Sequence, residues 1–108
     1  MSREKDDPYF LKEYESGTKV VWDKRVARQL AVVPRNIAAK FFDWADAVRL
    51  VGLRQVRKST GFHDEPLKGD RKGQRSMRLN RSYRVIYVEG RDGDIEIVEV
   101  IEVNKHEY

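Results

Sequence analysis

Residues 75–103, RSMRLNRSYRVIYVEGRDGDIEIVEVIEV, decide the fold. Three runs in this stretch have strand character: 75–80, 83–89 and 95–103. The joints between them, Asn80-Arg81-Ser82 and the turn-forming residues from Gly90 to Asp94, are short enough for antiparallel hairpins. The stretch therefore predicts a three-stranded meander. In its last run both faces are partly apolar, Ile95, Ile97 and Ile101 against Val98 and Val100, as expected of a central strand covered by helices. Glu96, Glu99 and Glu102 then read as cross-strand partners of the basic strands.

Working outward, Lys19-Val20-Val21-Trp22 reads as a first strand, and Asp23 is placed to cap a helix with Val26, Ala27, Leu30 and Val33 on one side. Pro34 suits the first turn of a second helix, in which Ile37, Phe41, Trp44, Val48 and Val51 recur every three or four residues. Gly52 is a natural stop. Phe41 and Trp44 belong to packing. From Leu53 to Lys72 no period persists, and Gly61, Pro66, Gly69 and Gly73 punctuate a basic stretch that reads as loop. Residues 1–18 form a polar extension carrying Tyr9, Phe10, Leu11 and Tyr14, either outside the main domain or docked on it as a short helix. The expected class is α+β: two N-terminal helices on a small antiparallel sheet of about four strands, spanning residues 19–108.

A chain of 108 residues has room for one core. No stretch approaches the ~20 apolar residues of a membrane span, and the start, MSREKDDPYF, lacks the apolar centre of a signal peptide. The expectation is a cytoplasmic protein with no membrane partner. The absence of cysteine excludes disulfides, thiolate metal sites and a cysteine nucleophile, and two histidines are too few for a convincing zinc site. No metal and no cofactor are expected, which leaves Glu, Asp, His, Arg, Lys and Tyr for any chemistry.

The net charge of +4 is unevenly distributed: residues 1–53 carry +2, residues 54–84 carry +7 and residues 85–108 carry −5. The cationic middle third suits a phosphate-bearing partner. Within it Lys68, Arg71, Lys72, Arg75, Arg78 and Arg81 are strung along the loop and the first strand of the meander. Arg78 shares its alternate set with Ser76 and Asn80, opposite Met77 and Leu79, so it faces away from the core if those two are buried. Arginine grips phosphate bidentately and stacks on bases, and the terminal Tyr108 offers an aromatic platform for an unstacked nucleotide.

Three further residues are distant in sequence yet able to meet on one face of a meander: Glu65 before it, Arg84 in its middle strand, and His106 after it. Metal-free RNA cleavage needs a base for the 2′-hydroxyl, a cation for the charge developing on phosphate, and an acid for the leaving oxygen. Glu, Arg and His supply these roles.

Two segments carry a resemblance to the RelE/ParE toxin superfamily. Residues 67–80, LKGDRKGQRSMRLN, are similar to the signature of HigB-like toxins; Glu65-Pro66-Leu67-Lys68, Tyr83-Arg84-Val85-Ile86-Tyr87 and the His-Glu-Tyr ending resemble the YoeB branch. Glu107 separates His106 from Tyr108, where YoeB-like endings join the two residue types. The resemblance implies a RelE-like fold, a catalytic set of Glu65, Arg84 and His106, and cleavage of messenger RNA in the ribosomal A site. It also implies an antitoxin partner that silences the enzyme. Two other functions fit the same fold: a ParE-like poison of DNA gyrase, and a noncatalytic RNA- or partner-binding domain.

Overall fold

The computed structural model describes residues 17–105. Chain order is β1 (Thr18–Val21), α1 (Lys24–Val32), α2 (Arg35–Val51), α3 (Leu53–Arg57), β2 (Glu65–Pro66), β3 (Gln74–Arg78), β4 (Tyr83–Asp92) and β5 (Ile95–Lys105). The Asp23 carboxylate accepts a hydrogen bond from the Val26 amide at 3.1 Å and starts α1. Gly52 ends α2 with φ +87°, a conformation costly for a residue with a Cβ, and its amide donates to the Val48 carbonyl at 2.8 Å.

The helices present most of the stripe that the periodicity predicts, although Ala27 and Val51, expected on the same faces, are exposed. Val26 and Leu30 of α1, and Ile37, Phe41, Trp44, Ala45 and Val48 of α2, are buried against Val20, Met77, Val85, Tyr87, Val98, Val100 and Val103 of the sheet. Trp44 lies 5.6 Å from the Tyr87 ring and Phe41 meets Trp22 edge-on at 5.2 Å. Burying a large apolar side chain of this kind contributes roughly 1.5–3 kcal/mol.

The sheet has five strands in the order β1-β5-β4-β3-β2, where about four antiparallel strands were expected. β1 runs parallel to β5, and every other neighbouring pair is antiparallel. The stretch expected as loop also contains regular structure: α3, the two-residue strand β2, and single 3₁₀ turns at Thr60–Phe62 and Gly69–Arg71. None is long enough to display a period, so contacts from elsewhere create them. For α3 the contact is Glu96, whose carboxylate accepts from the Leu53 amide at 3.4 Å and from the Thr18 hydroxyl at 3.1 Å.

Alternation then sorts the strands onto two faces. Met77, Val85 and Val103 are register partners beneath the helices. On the other face lie the row Glu65, Ser76, Ile86, Glu102 and the row Arg78, Arg84, Asn104. Between Ile86 and Tyr87 the register steps from Glu102 to Val100, which leaves Ile101 as the extra residue of a β-bulge. The Val103 amide beside it donates to the Gln29 side chain of α1 at 2.7 Å. Among the described residues, no helix is long and apolar enough to cross a membrane.

Candidate functional site

The β3–β4 hairpin is built by Asn80. Its side-chain oxygen accepts from the amides of Ser82 and Tyr83, each at 2.8 Å, while the Leu79 amide donates to the Tyr83 carbonyl at 2.9 Å. This tight turn sets Arg81 at the tip and fixes Arg78 opposite Arg84 across the two strands. Next to it, β2 pairs with β3 so that Glu65 stands opposite Ser76. The result is an open hollow lined by Glu65, Ser76, Arg78, Asn80, Arg81, Tyr83 and Arg84.

Among the described residues the hollow sets the Arg78 and Arg84 guanidinium groups beside the Glu65 carboxylate. Like charges directly opposite on neighbouring strands are unfavourable, and a bound anion relieves that repulsion. Among the described residues, neither Arg78 nor Arg84 has an ion-pair partner. Among the described residues, the Arg84 Nε is buried with no hydrogen-bond acceptor. Its register partner Asn104 donates from Nδ2 to Glu102 and leaves a buried Oδ1 without a donor. As a donor the Arg84 Nε suits a ligand oxygen that accepts, and as an acceptor the Asn104 Oδ1 suits a ligand hydroxyl that donates.

The other residues singled out in the sequence are placed differently. Arg71 reaches from the β2–β3 loop across β4 to the Glu102 carboxylate at 2.9 Å, and donates to Gln74 at 2.8 Å. Arg75 lies on the helix-covered side, where its Nε donates to Asp64 at 2.7 Å. Burial opposes the Arg75 charge, but the hydrogen bond and charge of Asp64 outweigh that and hold the guanidinium above its ordinary pKa. Lys68 and Lys72 are exposed in the β2–β3 loop without ion pairs among the described residues. His106 and Tyr108 lie outside the described residues.

Asn104 and Asp64 were not singled out in the sequence. Asn104 becomes visible only through the register that sets it beside Arg84, a pairing across 20 residues that no local pattern encodes. Asp64 is a lone acid next to Glu65 until the fold surrounds it. Among the described residues, no three His, Cys, Asp or Glu side chains gather as metal ligands would. The hollow therefore offers a carboxylate beside a cationic cradle, an arrangement suited to moving a proton next to a phosphate.

No protein-family model matches the sequence, and no curated protein does. Solved structures do match. The YoeB/ParE toxin from Agrobacterium tumefaciens aligns with a TM-score of 0.65 at 23% identity, over 82% of this chain and 99% of that one. The archaeal RelE-RelB complex from Pyrococcus horikoshii gives 0.61 at 20% identity, over 82% and 94%. The YoeB-YefM complex from Staphylococcus aureus gives 0.60 at 15% identity, over 83% and 98%. The chain thus has the RelE/YoeB-like fold that the sequence resemblance implied.

Proposed function

We propose that this chain is the toxin of a type II toxin–antitoxin pair, a ribosome-dependent endoribonuclease that cuts messenger RNA in the A site without a cofactor. One observation carries the reading: Arg78 and Arg84, opposed and without ion-pair partners among the described residues, share an open hollow with Glu65. In this reaction a base, Glu65 or His106, removes the 2′-hydroxyl proton, and the 2′-oxygen attacks the adjacent phosphorus. Arg84 and Arg78 hold the charge that develops on the phosphoryl oxygens. The 5′-oxygen leaves with a proton from the acid, His106 if Glu65 is the base and solvent water if His106 is, and a cyclic phosphate remains. Lys68, Lys72 and Arg81 hold the RNA backbone, with Tyr108 stacking on a base. Arg71, paired with Glu102 on the open face, and Arg75, paired with Asp64 beneath the helices, support the sheet around the site.

The structural neighbours from P. horikoshii and S. aureus are complexes with RelB and YefM, which supports a cognate antitoxin as the partner here. An acidic antitoxin segment across the hollow neutralises its cations and blocks RNA, so association weakens as salt rises. The toxin acts in the cytoplasm, where ribosomes are.

The test is induction of the wild type and of Arg84→Ala in bacteria, with mapping of new messenger RNA 5′ ends. The proposal predicts growth arrest with codon-phased cuts, reduced by about 10²–10³-fold in the variant. Arrest with intact messages and broken DNA supports gyrase poisoning instead, and no arrest supports a noncatalytic domain.

A further inference from the structure

Behind the hollow, on the helix-covered side, sits a second group of polar side chains that the cleavage reaction does not use. Asp64, its side chain 2% exposed, accepts from the Arg75 Nε at 2.7 Å and from the Tyr87 hydroxyl, and the Arg57 Nε stands 3.6 Å away. Arg57 also donates to the Tyr87 oxygen at 3.2 Å and pairs with Glu89. One carboxylate thus joins α3, β3 and β4 to the start of β2.

This attachment matters because β2 has little else to hold it. The strand is an edge of two residues, Pro66 has no amide hydrogen to donate, and the following hydrogen bond runs from the Leu67 amide to the Gln74 carbonyl at 2.9 Å. Two positions before the strand, His63 is held at φ +46°, a left-handed conformation that non-glycine residues rarely adopt. Neighbouring residues of an extended chain point to opposite sides, so anchoring Asp64 beneath the sheet turns Glu65 onto the open face. The Tyr87 phenol is pushed up to about 12, first by burial and then by its hydrogen bond to Asp64, so the clamp keeps its proton at neutral pH.

We propose that Asp64 is a positioning residue for the site: gripped by Arg57, Arg75 and Tyr87, it sets the register of β2 and so holds Glu65 opposite Ser76, facing the arginine pair. The inference rests on the reading that Glu65 takes part in RNA cleavage.

Two measurements on the purified full chain test it. Amide hydrogen exchange in Asp64→Asn should quicken at Leu67 by about tenfold or more while Val85 and Val98 stay protected. An unchanged Leu67 amide overturns the clamp. Cleavage in a translation extract is then compared for Asp64→Asn, Glu65→Gln and the double variant. Positioning predicts that Asp64→Asn lowers kcat with KM unchanged, and that it removes nothing further once Glu65 is Gln. A further multiplicative loss in the double variant shows a general structural role and overturns the proposal. A wild-type rate for Glu65→Gln sinks the functional reading of Glu65 instead, and the exchange result still decides the clamp. Should Asp64→Asn fail to fold, Tyr87→Phe removes one arm of the clamp and is expected to move both readouts the same way by a few-fold.

Discussion

Two charged clusters, on opposite faces of the sheet, are handled in opposite ways. Beneath the helices, Asp64 is sealed among two guanidinium groups and a phenol. On the open face, Arg78 and Arg84 oppose each other, and the Arg84 Nε is buried without an acceptor among the described residues. A charge satisfied within the protein serves folding, whereas one without an ion-pair partner beside a hollow is placed to hold a ligand. The cationic middle third of the sequence therefore divides by geometry into cations that hold the sheet, Arg57, Arg71 and Arg75, and cations that face outward, Arg78 and Arg84.

The contrast is most easily broken at Asp64. Replacing it with Ala leaves Arg57 and Arg75 beside each other with no carboxylate between them, and urea unfolding should show a loss of about 3 kcal/mol. That is the lower end for a broken buried pair, because both arginines keep some contact with water. A loss below about 1 kcal/mol would mean that the covered cluster contributes little to folding.

A smaller effect comes from pH. Tyr87 is raised from 10.0 to about 12 in the folded protein, so the fold favours the protonated phenol. Its contribution is fully present below pH 10 and is lost as pH rises toward 12, amounting to roughly 2–3 kcal/mol at most. Alkaline titration of unfolding should show this loss in the wild type and not in Tyr87→Phe. Identical curves would contradict a buried, hydrogen-bonded phenol.

The smallest effect probes the turn that leads into β2. At His63, φ +46° suits glycine, so His63→Gly is expected to raise stability by about 0.5–1 kcal/mol. A loss in thermal unfolding would show that the imidazole contributes more than the backbone conformation costs.

Much of this architecture was legible in the chain. The Ile37, Phe41, Trp44, Val48 spacing and the Asn80 turn are local signals, and they position α2 and the β3–β4 hairpin as predicted. The same alternation that turned Arg78 outward places Arg75 with Met77 on the covered face, a consequence that follows only if the strand rule is applied to every cation. What local pattern could not supply were the elements held by distant side chains. β2 depends on Asp64 meeting Arg75 and Tyr87, α3 on Glu96 reaching Leu53, and the parallel β1–β5 pairing on contacts across 78 residues, as between Thr18 and Glu96. Glu65 and Arg84 were found from residue type and resemblance, whereas Asn104 required the register of β5.

The most direct test of the division between faces is to measure unfolding free energy and RNA cleavage together for Arg84→Ala and Arg75→Ala. The account predicts that Arg84→Ala loses cleavage by about 10²–10³-fold while stability stays within about 0.5 kcal/mol of wild type. Arg75→Ala should lose about 1–3 kcal/mol of stability and, under conditions where it remains folded, lose only a few-fold in cleavage, as expected of one arm of the Asp64 clamp. A reversal, with Arg84→Ala unstable but active and Arg75→Ala stable but inactive, would contradict it.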